Sequence, residues 1–455
     1  MTTIEALERH YATVLAEHEA ATVAWVEEAG HRFRFGDKPL CRVLQPFFID
    51  RATYQVAMDA ASLLFRGLRE IVRASVERGA VGSDRHPRRR ALLADSLSKH
   101  AFLGGRADML LTASGPKALE FNPTTADHLP GGVDFSDPLA TYFEESEVLR
   151  EVSKTFSTRP VKLYERLFDA MVAKHVRAGG TGLPTIAEIH VPRREPATAS
   201  HDDVLPAEMM NLIGYLNSRG IGVQLCPHSD LSYAGGVLTA NGARIDIAFL
   251  AGASEYLDSC PDDDLLWRAV RDGRVSTACG YPMGNLLHDK ALFADLSDPH
   301  TNRTLAPDLV EALAAIVPWT RRVEDVDTTF GRAPIRLLDF VRDNRDRLVL
   351  KPSVGLGGDG VMLGWETTNQ QWLDKLASVV NAGYVVQERV TGGRKRLPYA
   401  DGGERADGDF FHDFNPYVWG DGVAAGALVR VSQSALLNVS QGTGSIAPVF
   451  VVDEP

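Results

Sequence analysis

The stretch LVLKPSVGLGGDGVMLGW, from Leu348 to Trp365, predicts a strand, a glycine-rich turn and a second strand. Its apolar, branched first half ends at Lys351, and the turn holds Gly355, Gly357, Gly358 and Gly360. Because glycine has no Cβ, such a backbone can fold over phosphate oxygens and direct its N–H groups at them. A lysine at the strand end adds a positive charge for the same phosphates. The stretch indicates a nucleotide site, with a plain tight turn as the alternative interpretation.

A second segment extends this prediction. The run YVVQERV, from Tyr384 to Val390, is an apolar strand that ends in Gln387 and Glu388, an amide and a carboxylate suited to a purine and its ribose. The glycines match neither the dinucleotide fingerprint, because no G-x-G-x-x-G opens a helix after a strand, nor the Walker A loop, because no G-K-[ST] follows them. The two segments together predict a nucleotide site of another kind.

Residues 106–132 read RADMLLTASGPKALEFNPTTADHLPGG and predict a β-hairpin. Two apolar runs, Met109–Thr112 and Ala118–Phe121, flank a Ser-Gly-Pro turn, which is typical of two antiparallel strands. The start of the first strand and the end of the second lie side by side in such a hairpin. The sequence therefore brings the polar residues of both ends together.

Those polar residues have the chemistry of a metal site. Residues two apart on a strand share a face, so Arg106 pairs with Asp108 and Glu120 pairs with Asn122. The side-chain oxygens of Asp, Glu and Asn are hard ligands that suit Mg²⁺, which often bridges carboxylates to phosphates. A solvated hairpin rim is the alternative interpretation.

R-x-D followed by E-x-N at hairpin spacing resembles the metal and catalytic strands of the ATP-grasp superfamily. In most members the lysine, the glycine loop and the Q-E pair come first, whereas here Glu120 precedes Gly355. This order resembles the circularly permuted ATP-grasp proteins, which are similar to glutathionylspermidine synthetase. The resemblance runs from about residue 30 to the C-terminus and includes FGDKPLCRVLQPFFID (35–50), HSDLSYAGGVLTANGARIDIAF (228–249), HDKALFADLSD (288–298) and VRVSQSALLNVSQGTGSIAPVFVV (429–452).

The resemblance implies an α/β (α+β) fold, namely a circularly permuted ATP-grasp fold with a pre-ATP-grasp α/β domain and an N-terminal helical region. The hairpin is then expected to complete the sheet that the C-terminal third begins. Strand–helix alternation after residue 183 independently predicts a small parallel sheet. The expected divisions are a mostly helical region (1–100), the metal-binding hairpin with its following helix (101–160), the α/β substrate domain (161–283) and the nucleotide-binding subdomains (284–455), with a glycine-rich lid at about 347–390 and core strands at 414–452.

Two further expectations concern secondary structure. Arg51–Glu77 is predicted as one helix, and roughly Leu139–Val176 as a helical stretch. The segment Thr391–Asp413 is rich in Gly, Arg and Asp, which predicts a mobile loop. Whether that loop becomes ordered on ligand binding is left open.

The resemblance also implies a role for individual residues. Mg²⁺ (one or two ions, or Mn²⁺) would be held by Asp108, Glu120 and Asn122. ATP would be held by Lys290, Lys351, the four glycines (355, 357, 358, 360), Gln387, Glu388 and the backbone of Val390. Charge in the transition state would be stabilised by Arg106, Arg430 and Asn438, and substrates would enter near Thr124, Thr125, His128 and Gly131.

Some of these roles have plainer alternatives. Lys290 also matches a helix-surface lysine, Arg430 a strand-end salt bridge, and His128 a loop histidine bonded to its own backbone. The chain departs from the family pattern where an acidic ribose ligand is expected, since Arg394-Lys395-Arg396 stands there. It also lacks the basic residue that often follows the I-D pair, here Ile245-Asp246.

The implied reaction is ADP-forming ligation of a carboxylate to an amine through an acyl phosphate. The expected substrates are small molecules, with an amino acid, a peptide or a polyamine as the classes considered. A phosphotransferase on the same fold and a degenerate nucleotide-binding protein are the alternatives, and fold alone does not choose between them.

Composition bounds the remaining possibilities. At 455 residues the chain predicts about two to four domains or subdomains, and 44% hydrophobic with 24% charged residues is ordinary for a globular protein. A net charge of −12 argues against a nucleic-acid partner, and no apolar run is long enough to predict a membrane span. The four cysteines lack C-x-x-C spacing, which favours free thiols and a cytoplasmic location. A homo-oligomer is left open.

Overall fold

The computed structural model describes the chain except for residues 1, 36–37, 78–87, 90–91, 93–102, 124–131, 192–204, 252–255, 279, 356–357, 438, 440–443 and 454–455. Its α-helices, in chain order, are α1 (Thr3–Glu17), α2 (Glu19–Arg32), α3 (Arg51–Glu77), α4 (Val133–Glu144), α5 (Glu147–Val152), α6 (Tyr164–Arg177), α7 (Leu205–Ser218), α8 (Tyr256–Ser259), α9 (Leu265–Arg271), α10 (Met283–Leu287), α11 (Ala291–Ser297), α12 (Pro307–Ile316), α13 (Leu337–Asp343) and α14 (Asn369–Val379).

The strands alternate with these helices along the chain. They are β1 (Arg34–Phe35), β2 (Lys38–Pro39), β3 (Phe47–Asp50), β4 (Gly104–Thr112), β5 (Gly115–Pro123), β6 (Thr158–Pro160), β7 (Ile186–His190), β8 (Val223–Pro227), β9 (Leu231–Ala234), β10 (Val237–Ala240), β11 (Ala243–Arg244), β12 (Ile247–Ala251), β13 (Ser276–Thr277), β14 (Thr320–Arg322), β15 (Asp327–Phe330), β16 (Ala333–Arg336), β17 (Leu348–Pro352), β18 (Met362–Leu363), β19 (Tyr384–Glu388), β20 (Arg394–Asp401), β21 (Glu404–His412), β22 (Asn415–Trp419), β23 (Ala424–Ser432), β24 (Gly444–Ala447) and β25 (Val449–Val452).

The largest sheet joins the hairpin at residues 104–123 to strands of the C-terminal third of the chain. Its strand order is β20-β21-β23-β22-β4-β5, with β24 pairing with β23 off this path. The hairpin β4–β5 is attached to the C-terminal strands because β4 pairs with β22, with Arg106 opposite Tyr417. The predicted hairpin and its predicted joining to the C-terminal third are both confirmed.

Helix α3 covers one face of this sheet. The predicted helix Arg51–Glu77 has the same bounds in the structure. It carries an apolar stripe at helical spacing, in which Ala57, Ala61, Leu64 and Leu68 are each 0% exposed. Phe65 of this helix stacks on Phe121 of β5, with ring centroids 5.6 Å apart. The stripe thereby fixes the hairpin from behind.

The segment predicted as a mobile loop, Thr391–Asp413, is instead an antiparallel hairpin. Strands β20 and β21 pair from Arg394 opposite Phe411 to Asp401 opposite Glu404. Gly402 and Gly403 form its two-residue turn, each with a positive φ (60° and 86°), as such turns require. The prediction was wrong because one face of this hairpin is solvated, so its polar residues alternate with buried ones and conceal the strands.

The predicted helical stretch at Leu139–Val176 is largely helical, but it is not one continuous helix. The chain there forms α4, α5, the short strand β6 and then α6. Ser146 caps α5 by accepting a hydrogen bond from the backbone N–H of Leu149 at 3.1 Å, and this cap begins a new helix. Helical periodicity alone did not reveal that break.

Two smaller sheets complete the framework of the site. The predicted parallel sheet is confirmed, with strand order β13-β12-β7-β8. The glycine-rich segment lies in an antiparallel sheet of order β14-β19-β17-β18, in which Lys351 stands opposite Val385. That sheet packs on α13 and α14 through a separate apolar cluster that includes Leu350, Trp372 and Val386. None of the helices within the described residues combines the length and apolar character that a bilayer crossing requires.

Candidate active site

The predicted site residues that the structure describes lie where the hairpin meets the glycine-rich sheet. They come from β4, β5, β17, β19 and β23 and from the residue that precedes α11. Their contacts divide the site into an arginine–aspartate network and a lysine cluster. Thr124, Thr125, His128, Gly131, Gly357 and Asn438 lie outside the described residues.

The first group is a buried arginine–aspartate network, consisting of Arg106, Asp108, Asp413 and Arg430. Asp108 is only 2% exposed and stands between two guanidinium groups. Arg106 donates from Nε to Asp108 Oδ1 at 2.6 Å and from Nη2 to Oδ2 at 3.0 Å. Arg430 donates from Nη2 to the same Oδ2 at 2.7 Å. Both carboxylate oxygens of Asp108 are thus bonded to arginine.

Asp413 holds Arg430 from the other side. Its carboxylate accepts hydrogen bonds from Nε (2.8 Å), Nη2 (2.5 Å) and the backbone N–H (2.9 Å) of Arg430. Asn415 donates to Asp413 Oδ1 at 2.6 Å and accepts from the backbone N–H of Met109 at 3.3 Å. Burial lowers the pKa of Arg430, but Asp108 and Asp413 outweigh it and raise that pKa above its ordinary value, so Arg430 stays protonated.

Sequence analysis missed Asp413 and Asn415, although a signal was present. The stretch HDFNPYVWG (412–420) places Asp413 two residues before Asn415 at the start of an apolar strand. Glu120 and Asn122 have the same spacing on their strand. Arg430 does form the salt bridge that was its alternative interpretation, with Asp108 and Asp413 as partners. These contacts hold its guanidinium group in the site.

The second group is a lysine cluster, consisting of Glu120, Lys290, Lys351 and Gln387. Lys290 Nζ lies 3.3 Å from Glu120 Oε2 and donates to the carbonyl oxygen of Gly355 at 3.0 Å. Lys351 Nζ donates to Gln387 Oε1 at 2.7 Å. Lys290 is 6% exposed, which excludes the helix-surface lysine considered for it. The cluster joins the hairpin to the glycine loop.

Gln387 lies inside the cluster, because its side chain is 2% exposed. Its amide nitrogen donates to Thr320 Oγ1 at 3.1 Å while its oxygen accepts from Lys351. Its side-chain amide therefore orients Lys351 in this structure. Glu388, the last residue of β19, is half-buried, and Val390 follows two positions later.

The charges of the cluster shift one another's protonation. Burial raises the pKa of Glu120, but Lys290, Lys351 and Arg430 together outweigh it and hold that pKa well below its ordinary range. Burial lowers the pKa of Lys351 to about 8; the Lys290 charge also lowers it, against the attraction of Glu120 and Asp108. Glu120 is thus ionised at neutral pH, and Lys351 titrates close to neutral pH.

The two groups together hold more positive than negative charge. Arginine and lysine supply four cationic side chains, and Asp108, Glu120 and Asp413 supply three carboxylates. A local excess of positive charge stands out in a chain of net charge −12. Such a site attracts a polyanion, because basic groups at a protein surface steer and bind negative ligands.

The glycine loop borders this charge. Gly358 and Gly360 have φ of 77° and 70°, in the left-handed region that favours glycine. A Cβ added at Gly360 would lie 2.8 Å from Pro352 Cγ and 2.9 Å from Tyr384 Oη. A side chain is therefore excluded at Gly360 by both backbone conformation and space.

The oxygen donors on β5 suit a divalent cation that is bound together with phosphate. The side chain of Glu120 is 27% exposed, and Asn122 lies beside it with Nδ2 3.2 Å from Glu120 Oε1. Asp108 does not fit as a ligand in this arrangement, because arginines occupy both of its oxygens. In the parts of the chain that the structure describes, no three or more His, Cys, Asp or Glu side chains are grouped as metal ligands. The remaining ligands would come from phosphate and water.

Comparison with known proteins bears on the fold. No family model matches the sequence, and no curated protein matches it. The apo form of a glutathione synthetase-like effector from Globodera pallida is similar over 97% of this chain and 97% of that chain, with a TM-score of 0.60 and 13% identity. A D-cycloserine synthetase aligns over 56% of this chain and 92% of that chain at 12% identity. Its TM-score of 0.28 is too low to indicate a shared fold. The first likeness shows that the two chains share a mixed α/β fold.

Proposed function

We propose that the protein is an ATP-dependent ligase that joins a carboxylate to an amine and forms ADP, with Mg²⁺ as its cofactor. The observation that carries this proposal is the meeting of Glu120, Lys290 and Lys351 beside the glycine loop. These residues come from three separate parts of the chain, and their charges suit a nucleotide triphosphate with a bound cation. Localisation in the cytoplasm belongs to the same proposal.

ATP binding is assigned to the glycine-rich sheet. Lys351 and Lys290 contact the phosphates, and the backbone of the glycine loop covers them. In the structure, Lys290 donates a hydrogen bond to the carbonyl oxygen of Gly355. When ATP binds, a phosphate oxygen replaces that carbonyl oxygen as the acceptor. Glu388 and Val390, at the end of β19, hold the adenine and ribose, and Gln387 orients Lys351.

The hairpin supplies the cation site and the charges that act on the reacting groups. Glu120 and Asn122 would hold Mg²⁺, which would supply positive charge to neutralise the negative charge that develops on the phosphates. Arg430 and Arg106 stabilise the transferred phosphoryl group and then the tetrahedral adduct, because preorganised donors act strongly in a water-poor site. Asp108 and Asp413 hold these guanidinium groups in place.

The reaction has two steps. A carboxylate oxygen of the first substrate attacks the γ-phosphorus of ATP, the bond to ADP breaks, and an acyl phosphate forms. The amine of the second substrate attacks the carbonyl carbon, loses a proton and expels phosphate. Closure of the glycine loop keeps water from the acyl phosphate. Thr124, Thr125, His128, Gly131 and Asn438 are proposed to contact the substrates.

The circular permutation is part of this proposal. The hairpin that carries Glu120 precedes the glycine loop in sequence, yet it lies beside β22 in the C-terminal sheet. Joining the ends of an ordinary ATP-grasp core and opening it elsewhere yields this connectivity with the packing preserved.

The test is ADP release from Mg²⁺-ATP across a pool of amino acids, short peptides and polyamines. Glu120→Ala serves as the inactive variant, and Glu404→Ala, an exposed glutamate in the β20–β21 hairpin, serves as its matched control. We expect turnover that requires an acid and an amine together, is lost in Glu120→Ala and is retained in Glu404→Ala.

Two outcomes would overturn the proposal. Turnover with a single acceptor and a stable phosphorylated product would identify a phosphotransferase. ATP that binds without turnover in the wild type and in both variants would identify a nucleotide-binding protein without ligase activity.

A further inference from the structure

A cavity of about 420 Å³ lies between α3 and the turn that joins β22 to β23, and it takes no part in the proposed reaction. Its lining includes Phe65, Arg66, Arg69 and Glu70 from the helix and Asp421 with Gly422 from the turn. A volume of this size suits a small molecule, because ligand pockets commonly enclose roughly 300–1,000 Å³.

The arginines of the cavity have no carboxylate partner among the described residues, whereas its two acids do. Glu70 pairs with Arg73, which lies outside the lining. Asp421 pairs with Arg166 at 3.4 Å and also accepts a hydrogen bond from the backbone N–H of Val423 at 3.0 Å. Arg66 and Arg69 therefore present positive charge that neighbouring acids do not cancel.

The spacing of these two arginines indicates the ligand class. Positions i and i+3 on a helix lie on one face, with Cβ atoms roughly 5–6 Å apart. A guanidinium group binds carboxylate or phosphate oxygens in pairs, through two parallel hydrogen bonds. Two such groups on one face suit a ligand that carries at least two anionic groups. A small molecule is favoured because the concave volume beside the arginines is only about 420 Å³.

The cavity touches the candidate active site through one aromatic pair. Phe65, in its lining, stacks on Phe121 with ring centroids 5.6 Å apart and planes 25° from parallel. Phe121 is 2% exposed and stands between Glu120 and Asn122 on β5. A Cβ added at Gly105 would lie 2.6 Å from the Phe121 ring, so the ring has little room to move independently of its strand.

We propose that this cavity binds a small polyvalent anion, carrying carboxylate or phosphate groups, and that its occupancy is transmitted to Glu120 and Asn122 through Phe65 and Phe121. The anion binding stands on the cavity and its arginines alone. The transmission, in contrast, rests on the proposed function, because its effect is measured on nucleotide binding.

Binding is tested by isothermal titration calorimetry of the full chain without nucleotide, using citrate in one arm and inorganic phosphate in the other. Arg66→Ala combined with Arg69→Ala is compared with a control that makes the same charge change at Arg9 and Arg332, which are exposed and outside the lining. We expect one saturable site in the wild type, at least tenfold weaker binding in the cavity variant and a change of less than twofold in the control.

The two arms distinguish a carboxylate ligand from a phosphate ligand. Saturable binding of neither anion would overturn the proposal, as would equal losses in the two double variants. Both variants are expected to fold, because Arg66 and Arg69 are on the exposed face of α3. Circular dichroism and thermal unfolding verify this.

The transmission is tested by measuring the affinity for a non-hydrolysable ATP analogue with and without the anion at saturation. We expect a change of about fivefold or more in the wild type. Phe65→Leu, which removes the aromatic stack and retains an apolar side chain, is expected to reduce that change while anion binding persists. An unchanged affinity in the wild type, with anion binding intact, would overturn the transmission and leave the binding site established.

Discussion

The arginine–aspartate network and the lysine cluster lie side by side, yet they are built in different ways. The network is contained in one sheet, and its carboxylates are 2% and 1% exposed. Asp413 alone accepts three hydrogen bonds from Arg430. The lysine cluster crosses between two sheets, and its ion pair, from Lys290 to Glu120, spans 3.3 Å.

This difference separates two tasks of a phosphate-binding site. Charges that several hydrogen bonds fix inside one sheet keep their positions when a ligand arrives, which is the condition for electrostatic preorganisation. Charges held by fewer and longer contacts across a boundary, such as those of Lys290 to Glu120 and to the Gly355 carbonyl oxygen, can exchange those contacts for phosphate oxygens. We therefore expect the loss of a network carboxylate to affect folding most strongly, and changes in the cluster to affect mainly ligand binding and turnover.

The largest effect is expected for Asp413→Ala. This change removes one of the two carboxylate partners of the Arg430 guanidinium group, and breaking a buried ion pair typically costs about 3–5 kcal/mol in the free energy of unfolding. Urea denaturation measures the loss. Asp409→Ala is the matched control, because its ion pair with Arg394 is about half exposed and is expected to contribute less than about 1 kcal/mol. Equal losses in the two variants would contradict the assignment of a structural role to the network.

Next in size is Glu120→Gln, which keeps the shape of the side chain and removes its charge. We expect ATP turnover to fall by a factor of ~10²–10³, the range typical for losing one preorganised electrostatic group. The free energy of unfolding is also expected to fall, because the lowered pKa of Glu120 means that its charge stabilises the fold, but by less than in Asp413→Ala, since the Glu120 side chain is 27% exposed. Steady-state kinetics and urea denaturation on the same samples compare the two quantities. A large loss of stability would assign Glu120 to the structural frame.

Gly360→Ala tests the loop that borders the cluster. A positive φ costs a residue with a Cβ about 1–2 kcal/mol, and here the added carbon also meets Pro352 and Tyr384. We expect about tenfold weaker binding of an ATP analogue, measured by fluorescence titration. Gly402→Ala is the control, because its φ is 60° and no atom lies within 4 Å of the added Cβ. An unchanged affinity in Gly360→Ala would remove the loop from the nucleotide site.

The smallest expected effect is a pH dependence of nucleotide binding. Because the pKa of Lys351 is lowered to about 8 in the folded protein, affinity for an ATP analogue is expected to decrease up to tenfold between pH 8 and pH 9 as the lysine loses its proton. Lys351→Arg, which stays charged, is expected to flatten this dependence. A wild-type profile that is flat over this range would contradict the assigned contact with phosphate.

The free energy of unfolding is expected to change with pH in the opposite direction to nucleotide affinity, because of the same lysine. Its folded-state pKa lies below the ordinary value of 10.5, so the buried charge costs stability below pH 8. That cost is relieved as pH rises from about 8 towards 10.5, where the unfolded chain binds more protons than the folded one. Nucleotide affinity and this contribution to stability therefore move in opposite directions over part of the range.

Local patterns predicted much of this molecule. The hairpin β4–β5, helix α3, the parallel sheet and the strands on either side of the glycine loop each have a periodicity or a turn that a sequence displays. Strands β20 and β21 do not, because their solvated face places arginine and aspartate where a strand is usually recognised by apolar residues. The paired glycines at their turn were interpreted as a loop.

Contacts across the chain limited the prediction of the site. Lys351 and Glu120 were identified from their own segments, but the bond of Lys351 to Gln387 and the clamp of Arg430 by Asp413 depend on how segments pack. The sequence around Asp108 also gives no indication that its carboxylate oxygens accept hydrogen bonds from two arginines. A residue type and its spacing define what a side chain can bind, whereas packing determines which partner is within reach.

The small sheet β3-β25-β6 has a consequence for protein synthesis. Strand β25 lies between β3 and β6, and its register sets Phe450 between Phe48 and Pro160. At ordinary translation rates, β25 leaves the ribosome on the order of tens of seconds after β6. During that interval β3 and β6 have unpaired edges, which are prone to pair with other chains. Production of this protein is therefore expected to depend on chaperones that protect the nascent chain until β25 is made.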